Sequence, residues 1–223
     1  MRIILIRHGE PDYEKDCLTE LGHKQADVAA QRLLEEGIEE IYSSPYGRAV
    51  QTAEAFSKAS GSQNIQILDF IHEIRYGREG EFYDKKWSPW KGADELVWNG
   101  QSLQTPQWRE YPVFQDNFAT EDADRIAAET DAWLSTIGYE REGLYYRCTR
   151  HDDQQKTIAV FCHGGSTTAF IARVLNLPFP YLCALLHFSH TAISILRFDK
   201  TPDRLTVPVI ELLNDARHLR DVK

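Results

Sequence analysis

Residues 3–10 read IILIRHGE and residues 157–165 read TIAVFCHGG. In both, an unbroken apolar run meets a histidine followed by glycine. Such short continuous runs suit strands buried on both faces, as in a parallel sheet. An arginine and a histidine at the end of a buried strand are costly unless something pairs with them. In open α/β sheets ligands bind beyond the carboxyl ends of the strands, so His8 and His163 are expected on one edge of the sheet. The glycines permit tight turns and let backbone N–H groups approach a ligand, which adds Gly164 to the expected ligand contacts.

Between these motifs, apolar runs alternate with helical patterns. LTELGHKQADVAAQRLLEEG (18–37) reads as a helix capped by Thr19 and closed by Gly37. A brief strand is expected around Ile41. Ser44 is then expected to cap a helix with Pro45 at its first position and Ala49, Ala53 and Phe56 on one face. NIQILDF (64–70), TAISILRF (191–198) and TVPVIELL (206–213) read as further strands, and TTAFIARVLNL (167–177) as a helix stopped by Pro178. Residues 80–119 break the rhythm and hold Trp87, Trp90, Trp98 and Trp108, four of the five tryptophans. A structureless loop of that length is uncommon inside a compact domain. A lid with short helices is expected there, followed by a helix capped by Thr120 over EDADRIAAETDAWLSTIG (121–138). The expected fold class is α/β: a three-layer αβα sandwich with a mostly parallel central sheet and an inserted, aromatic-rich, mainly helical lid at about 80–138, in one domain over 1–223.

The formal net charge of -9, from 34 acidic and 25 basic residues, argues against nucleic acid or an anionic membrane as a bulk partner. A local basic pocket can still receive a small anion. The cysteines at 17, 148, 162 and 183 form no C-x-x-C pair, and Cys162 reads as a buried thiol. The histidines show no metal-binding spacing. No signal peptide or membrane-length apolar run is visible, so cytoplasm is the expected compartment.

Two more residues join the histidines. Arg48 falls in the first turn of its helix, where a cation opposes the helix dipole unless an anion also sits there. Glu73, after the strand ILDF, could protonate a leaving oxygen if burial raised its pKa against the pull of the arginines. Two arginines, two histidines and a helix N-terminus make a receptor for a phosphoryl group.

RHGE, SSPYGRAVQTAE and FCHGG, in that order and each at a strand end or helix start, resemble the histidine phosphatase superfamily. This is the branch that includes cofactor-dependent phosphoglycerate mutases and many small-molecule phosphatases. The resemblance spans roughly residues 1–80 and 157–198. It implies that His8 is the nucleophile, that Arg7, Arg48 and His163 bind the phosphoryl oxygens, and that Glu73 is proton donor and later base for water. It implies no metal or other cofactor, because the arginines and histidine supply the charge, and a small phosphorylated metabolite as partner. A phosphomutase and a non-catalytic phospho-ligand binder are the alternatives, and an oligomer through the aromatic insertion is left open.

The chain departs from the family pattern in places. Gly77-Arg78-Glu79-Gly80 lacks the usual tryptophan, and Glu14 stands where many members carry asparagine, so that loop is expected to take another path. Leu18-Thr19 follows His8 by only ten residues, a short connection that favours a phosphatase over a mutase. The four inserted tryptophans are expected in the subdomain core, with substrate contact as the other reading, and His187 and His190 in structural roles, with an approach to the pocket as the other reading. Arg75, Arg78, Lys85, Lys86 and Lys91 are expected as a solvated face, with a basic rim guiding an anion as the other reading. The insertion at 80–119 and GLYYRCTRHDD (143–153) are expected to shape the outer pocket.

Overall fold

The computed structural model describes residues 1–62, 64–151 and 156–222. Its central sheet has six strands: β1 (Arg2–Arg7), β2 (Glu40–Ser43), β3 (Ile65–Ile67), β4 (Thr157–Cys162), β5 (Ile193–Arg197) and β6 (Val209–Asp215). The order across the sheet is β6-β5-β1-β4-β2-β3. β1, β4, β2 and β3 run parallel, while β5 lies antiparallel to β1 and β6. The α/β sandwich with a mostly parallel sheet is therefore as expected.

Alternation along the strands builds both core layers. Ile4 and Ile6 of β1 pack with Ala30, Leu33, Ala53 and Phe56 from helices α1 (Glu20–Leu33) and α2 (Gly47–Ser60). Ile3 and Leu5 belong to the opposite layer, with Trp133, Leu134 and Phe170. Each such fully buried aliphatic chain is worth about 1.5–3 kcal/mol of transfer free energy. Cys162 closes β4 as the buried thiol expected of it, its pKa pushed up to about 12 by burial.

The insertion is helical, with α3 (Pro89–Trp98) and short 3-10 turns at Lys85–Trp87 and Pro106–Glu110. Ala93, Leu103, Trp108 and Phe114 join the same apolar cluster as the sheet face. The long helix α4 (Phe118–Thr136) packs along α5 (Gly164–Leu175), and α3 packs on α6 (Phe179–Leu185). The tryptophans divide: Trp108 is buried, Trp87 and Trp90 are half-buried, and Trp98, at the solvent end of α3, is 90% exposed. The expectation of a common core role fails for Trp98, because the helix ends there and leaves its ring in water.

Several boundaries differ for identifiable reasons. Thr19 caps α1 as expected, accepting the Gly22 N–H at 3.0 Å. Ser44 does not cap α2, which begins at Gly47: the Ser44 hydroxyl is engaged by His163 instead. Asn117, rather than Thr120, caps α4, since the Thr120 hydroxyl donates to the Phe114 carbonyl. The run at 206–213 is split. Leu205–Thr206 pairs with Tyr145–Cys148 in a small separate sheet, and Pro208, without an N–H for a ladder, separates it from β6. Among the described residues no helix is long and apolar enough to cross a membrane.

One close approach ties α1 to the end of β1. A Cβ on Gly22 would lie 2.1 Å from the Glu10 carbonyl oxygen, and one on Gly9 2.5 Å from the Gly22 carbonyl oxygen. Both obstacles are backbone and cannot rotate away. Gly22→Ala is expected to destabilise by about 1–3 kcal/mol, the cost usual for overpacking. A thermal melt should show the midpoint falling by several degrees, and an unchanged midpoint would refute the contact.

Candidate active site

The parallel pairing of β1 with β4 places Arg7 opposite Cys162, so the next residues, His8 and His163, emerge side by side. The His8 N–H donates to the Cys162 carbonyl at 3.0 Å, and the two rings lie 5.0 Å apart. Both histidines are buried.

The tautomer of His8 follows from its partner. Nδ1 lies 2.7 Å from the Gly9 carbonyl oxygen. A carbonyl only accepts, so Nδ1 carries the proton and Nε2 keeps its lone pair. Burial, then the Arg7 and Arg48 charges, push the His8 pKa down to about 3. His163 is lowered well below its ordinary value, by burial first and then by His8, Arg48 and Arg7. Its Nε2 lies 2.7 Å from Ser44 Oγ. That hydroxyl accepts the Tyr46 N–H at 3.3 Å and so has its own proton to give to Nε2, an assignment that leaves the His163 proton on Nδ1.

The arginines are each half-satisfied. Arg7 donates from Nη1 to the Phe188 carbonyl. Arg48 donates from Nη1 to Asp16 Oδ1. Asp16 Oδ2 accepts the Gly47 N–H at 2.7 Å, so a carboxylate of this chain already occupies the N-terminus of α2. The expectation that a ligand anion shares that helix end with Arg48 is corrected: Asp16 does so. Arg7 Nε, Arg48 Nε and His163 Nδ1 remain buried without a partner. These three nitrogens are donors that an anion can satisfy.

Glu73 lines the same cleft as Arg7, Arg48 and Gly164. Its Oε1 accepts the Ile74 N–H at 2.9 Å and the Ser166 N–H, in the first turn of α5, at 3.1 Å. A Cβ on Gly165 would lie 2.6 Å from that oxygen, so glycine there is what lets the carboxylate reach the helix. Burial raises the Glu73 pKa and outweighs the backbone bonds and the two arginines, which lower it.

The residues singled out from the sequence thus converge. Sequence reasoning missed Asp16 and Ser44. Nothing in the spacing of Asp16 points to Arg48, whereas Ser44 was visible but read as a cap. Glu14 is exposed, in the loop between two short strands, Pro11–Asp12 and Cys17–Leu18. His187 lines the cleft and the His190 ring lies 6.0 Å from that of His8, so both approach the site, as the other reading of these residues has it. Burial and Arg7 push the His190 pKa down to about 4. Residues 143–151 contribute nothing to the cleft lining, because Tyr145–Cys148 turns away into the small sheet; 152 and 153 lie outside the described residues.

A family model described as the histidine phosphatase superfamily (branch 1) matches residues 3–210. A probable phosphoglycerate mutase GpmB of Proteus mirabilis is 25% identical over 232 residues, covering 100% of this chain and 96% of that protein. The solved structure of a phosphoserine phosphatase mutant from Entamoeba histolytica, in complex with phosphoserine, is similar with a TM-score of 0.65 and 22% identity, over 98% of each chain. That of a mycobacterial glucosyl-3-phosphoglycerate phosphatase is similar with a TM-score of 0.66 and 20% identity, over 96% of this chain and 98% of the other. The structural likenesses bear on the fold. The family match, extending from β1 into β6 and taking in every residue of the site just described, makes this chain a member of branch 1 of the histidine phosphatase superfamily.

Proposed function

We propose that the protein is a metal-independent phosphatase that hydrolyses a small phosphomonoester through a phosphohistidine on His8. The observation that carries this reading is the His8 Nδ1–H bond to the Gly9 carbonyl, which leaves Nε2 unprotonated amid the unpartnered nitrogens of Arg7, Arg48 and His163.

In the first step the Nε2 lone pair attacks phosphorus, the P–O bond to the leaving group breaks, and Glu73 gives that oxygen its proton. In the second, Glu73, now a carboxylate, takes a proton from water. The resulting hydroxide attacks phosphorus, the P–N bond breaks, and its electrons return to Nε2. Inorganic phosphate departs and Glu73 is again protonated. Arg7, Arg48 and His163 donate to the equatorial oxygens, and the Gly164 backbone borders the same space. The short connection between His8 and Thr19 favours hydrolysis over mutase chemistry, which must retain a bisphosphate and keep water out. The mutase reading rests on the name of the Proteus relative. Mass spectrometry of the products separates the two, since a mutase yields an isomerised phosphoacid.

Rapid-quench mass spectrometry should find the phosphoryl group on His8, and His8→Ala should abolish both the adduct and turnover; a turning-over His8→Ala enzyme would end the proposal. Glu73→Gln should lower kcat on an alkyl phosphate by about 10²–10⁴-fold, the usual weight of general acid–base catalysis. With p-nitrophenyl phosphate, whose leaving group needs no proton, the same variant should show a burst of one equivalent and then stall.

The pKa directions set the pH profile. His8 is neutral, and so nucleophilic, above about pH 3. Glu73 must be protonated in the first step, and its raised pKa holds the proton to higher pH than an ordinary carboxyl does. Once the ester's own ionisation is allowed for, kcat/KM should be flat on the acid side above about pH 3 and fall as pH rises through the Glu73 pKa. Glu73→Gln should remove the falling limb. A fall towards acid centred near pH 6 would contradict the neutral His8.

A further inference from the structure

The cleft has a volume of about 770 Å³ and takes in Arg7, Arg48, Glu73 and Gly164 from the proposed phosphoryl cup. Beyond the cup its walls are aromatic: Tyr13, Tyr46, Tyr76, Tyr83, Trp90 and Phe188. Three of these form a connected wall. Tyr76 and Tyr83 meet edge-on with centroids 5.1 Å apart, and Tyr76 meets Trp90 edge-on at 6.4 Å. A T-shaped chain of this kind presents ring faces to whatever enters beside it.

Positive charge is scarce on the same walls. Among the described lining residues the lysines and arginines are Arg7 and Arg48 alone, both at the floor, with His187 the one further basic side chain. The cations of the insertion that could have formed a second anion site are held elsewhere. Arg75 makes two bonds to the buried Asp122 carboxylate, at 2.9 and 3.1 Å. Arg78 lies over the Trp87 ring and donates to the Pro112 and Gln115 carbonyls. Lys86 pairs with Glu81, Lys91 pairs with Glu95, and Lys85 is exposed outside the cleft. These are the residues for which a basic rim was the alternative reading, and their pairings favour the solvated face. Four of the six aromatics are tyrosines, whose hydroxyls can bond neutral polar groups, but a second carboxylate or phosphate on the substrate would lose water with no further guanidinium or ammonium to offset its charge. The net charge of -9 would oppose it further.

We infer that this site takes a phosphomonoester whose organic part is uncharged and flat, an aryl or arylalkyl phosphate rather than a phosphorylated acid or a bisphosphate. The inference rests on the phosphatase reading above and narrows it to a substrate class. The aromatic wall stacks on the organic group while the two arginines and two histidines hold the phosphoryl group.

The test compares kcat/KM for three esters of primary alcohols with similar leaving groups: 2-phenylethyl phosphate, glycerol 3-phosphate and the phosphoserine amino acid. 3-Phosphoglycerate is added as the doubly anionic case. The arylalkyl ester should lead each of the others by about tenfold or more, the equivalent of about 1.4 kcal/mol. Trp90→Ala should shrink that lead about tenfold. Tyr83→Ala, at a half-exposed position with little folding risk, should shrink it by a smaller factor. If 3-phosphoglycerate or phosphoserine is cleaved as well as the arylalkyl ester, the substrate class is wrong and the phosphatase reading stands. If no ester releases phosphate, the phosphatase reading fails and takes the inference with it. If Trp90→Ala lowers all four rates together and leaves their ratios unchanged, the wall is structural and the inference is overturned.

Discussion

The site depends on one parallel register. With Arg7 opposite Cys162, the chain leaves two neighbouring strands at the same height, and the two histidines that follow are neighbours by construction. A strand exposes alternate residues to opposite faces, so a slip of one position would exchange the faces of the core residues and move His8 away from His163. The apolar layers forbid that slip. Ile4 and Ile6 are committed to one layer and Ile3 and Leu5 to the other, all of them buried. Core packing and catalytic geometry are therefore a single constraint.

From that placement the electrostatics follow. Two guanidinium groups and two imidazoles share a poorly hydrated space, and the imidazoles yield by staying neutral. Neutrality is what a nucleophilic nitrogen needs. The Phe188 carbonyl takes one edge of Arg7 and the Asp16 carboxylate one edge of Arg48. Glu73 answers the same burial in the opposite sense, its pKa rising. One shielded environment thus shifts the imidazoles towards the neutral base and the carboxyl towards the protonated acid, the two directions the proposed mechanism needs.

Much of this was legible in the sequence, and the reasons are local. Continuous apolar runs ending on RHG and HGG mark strand ends, and strand ends mark the ligand edge in an α/β sheet. Thr19 could be read as a cap because its partner lies three residues away. Ser44 was misread because a hydroxyl before Pro45 fits a cap equally well, and only the tertiary fold brings His163 to it. Asp16 was invisible for the same reason: its bond to Arg48 joins a loop to a helix 32 residues away. The pairing of Arg75 with Asp122 is likewise non-local, which is why a basic rim could be entertained from composition and is disfavoured by the contacts.

On the proposed mechanism, Asp16 has a consequence for the end of the reaction cycle. A cup with two unopposed guanidiniums would retain inorganic phosphate and inhibit itself with its own product. The carboxylate on Arg48 offsets one of those charges permanently, and the 42% exposure of its side chain keeps the pair open to water and salt. On that mechanism Arg48 would serve a resident counter-ion with one edge and a passing oxyanion with the other. The resident tempers the grip on the departing anion, which favours rapid release over tight capture.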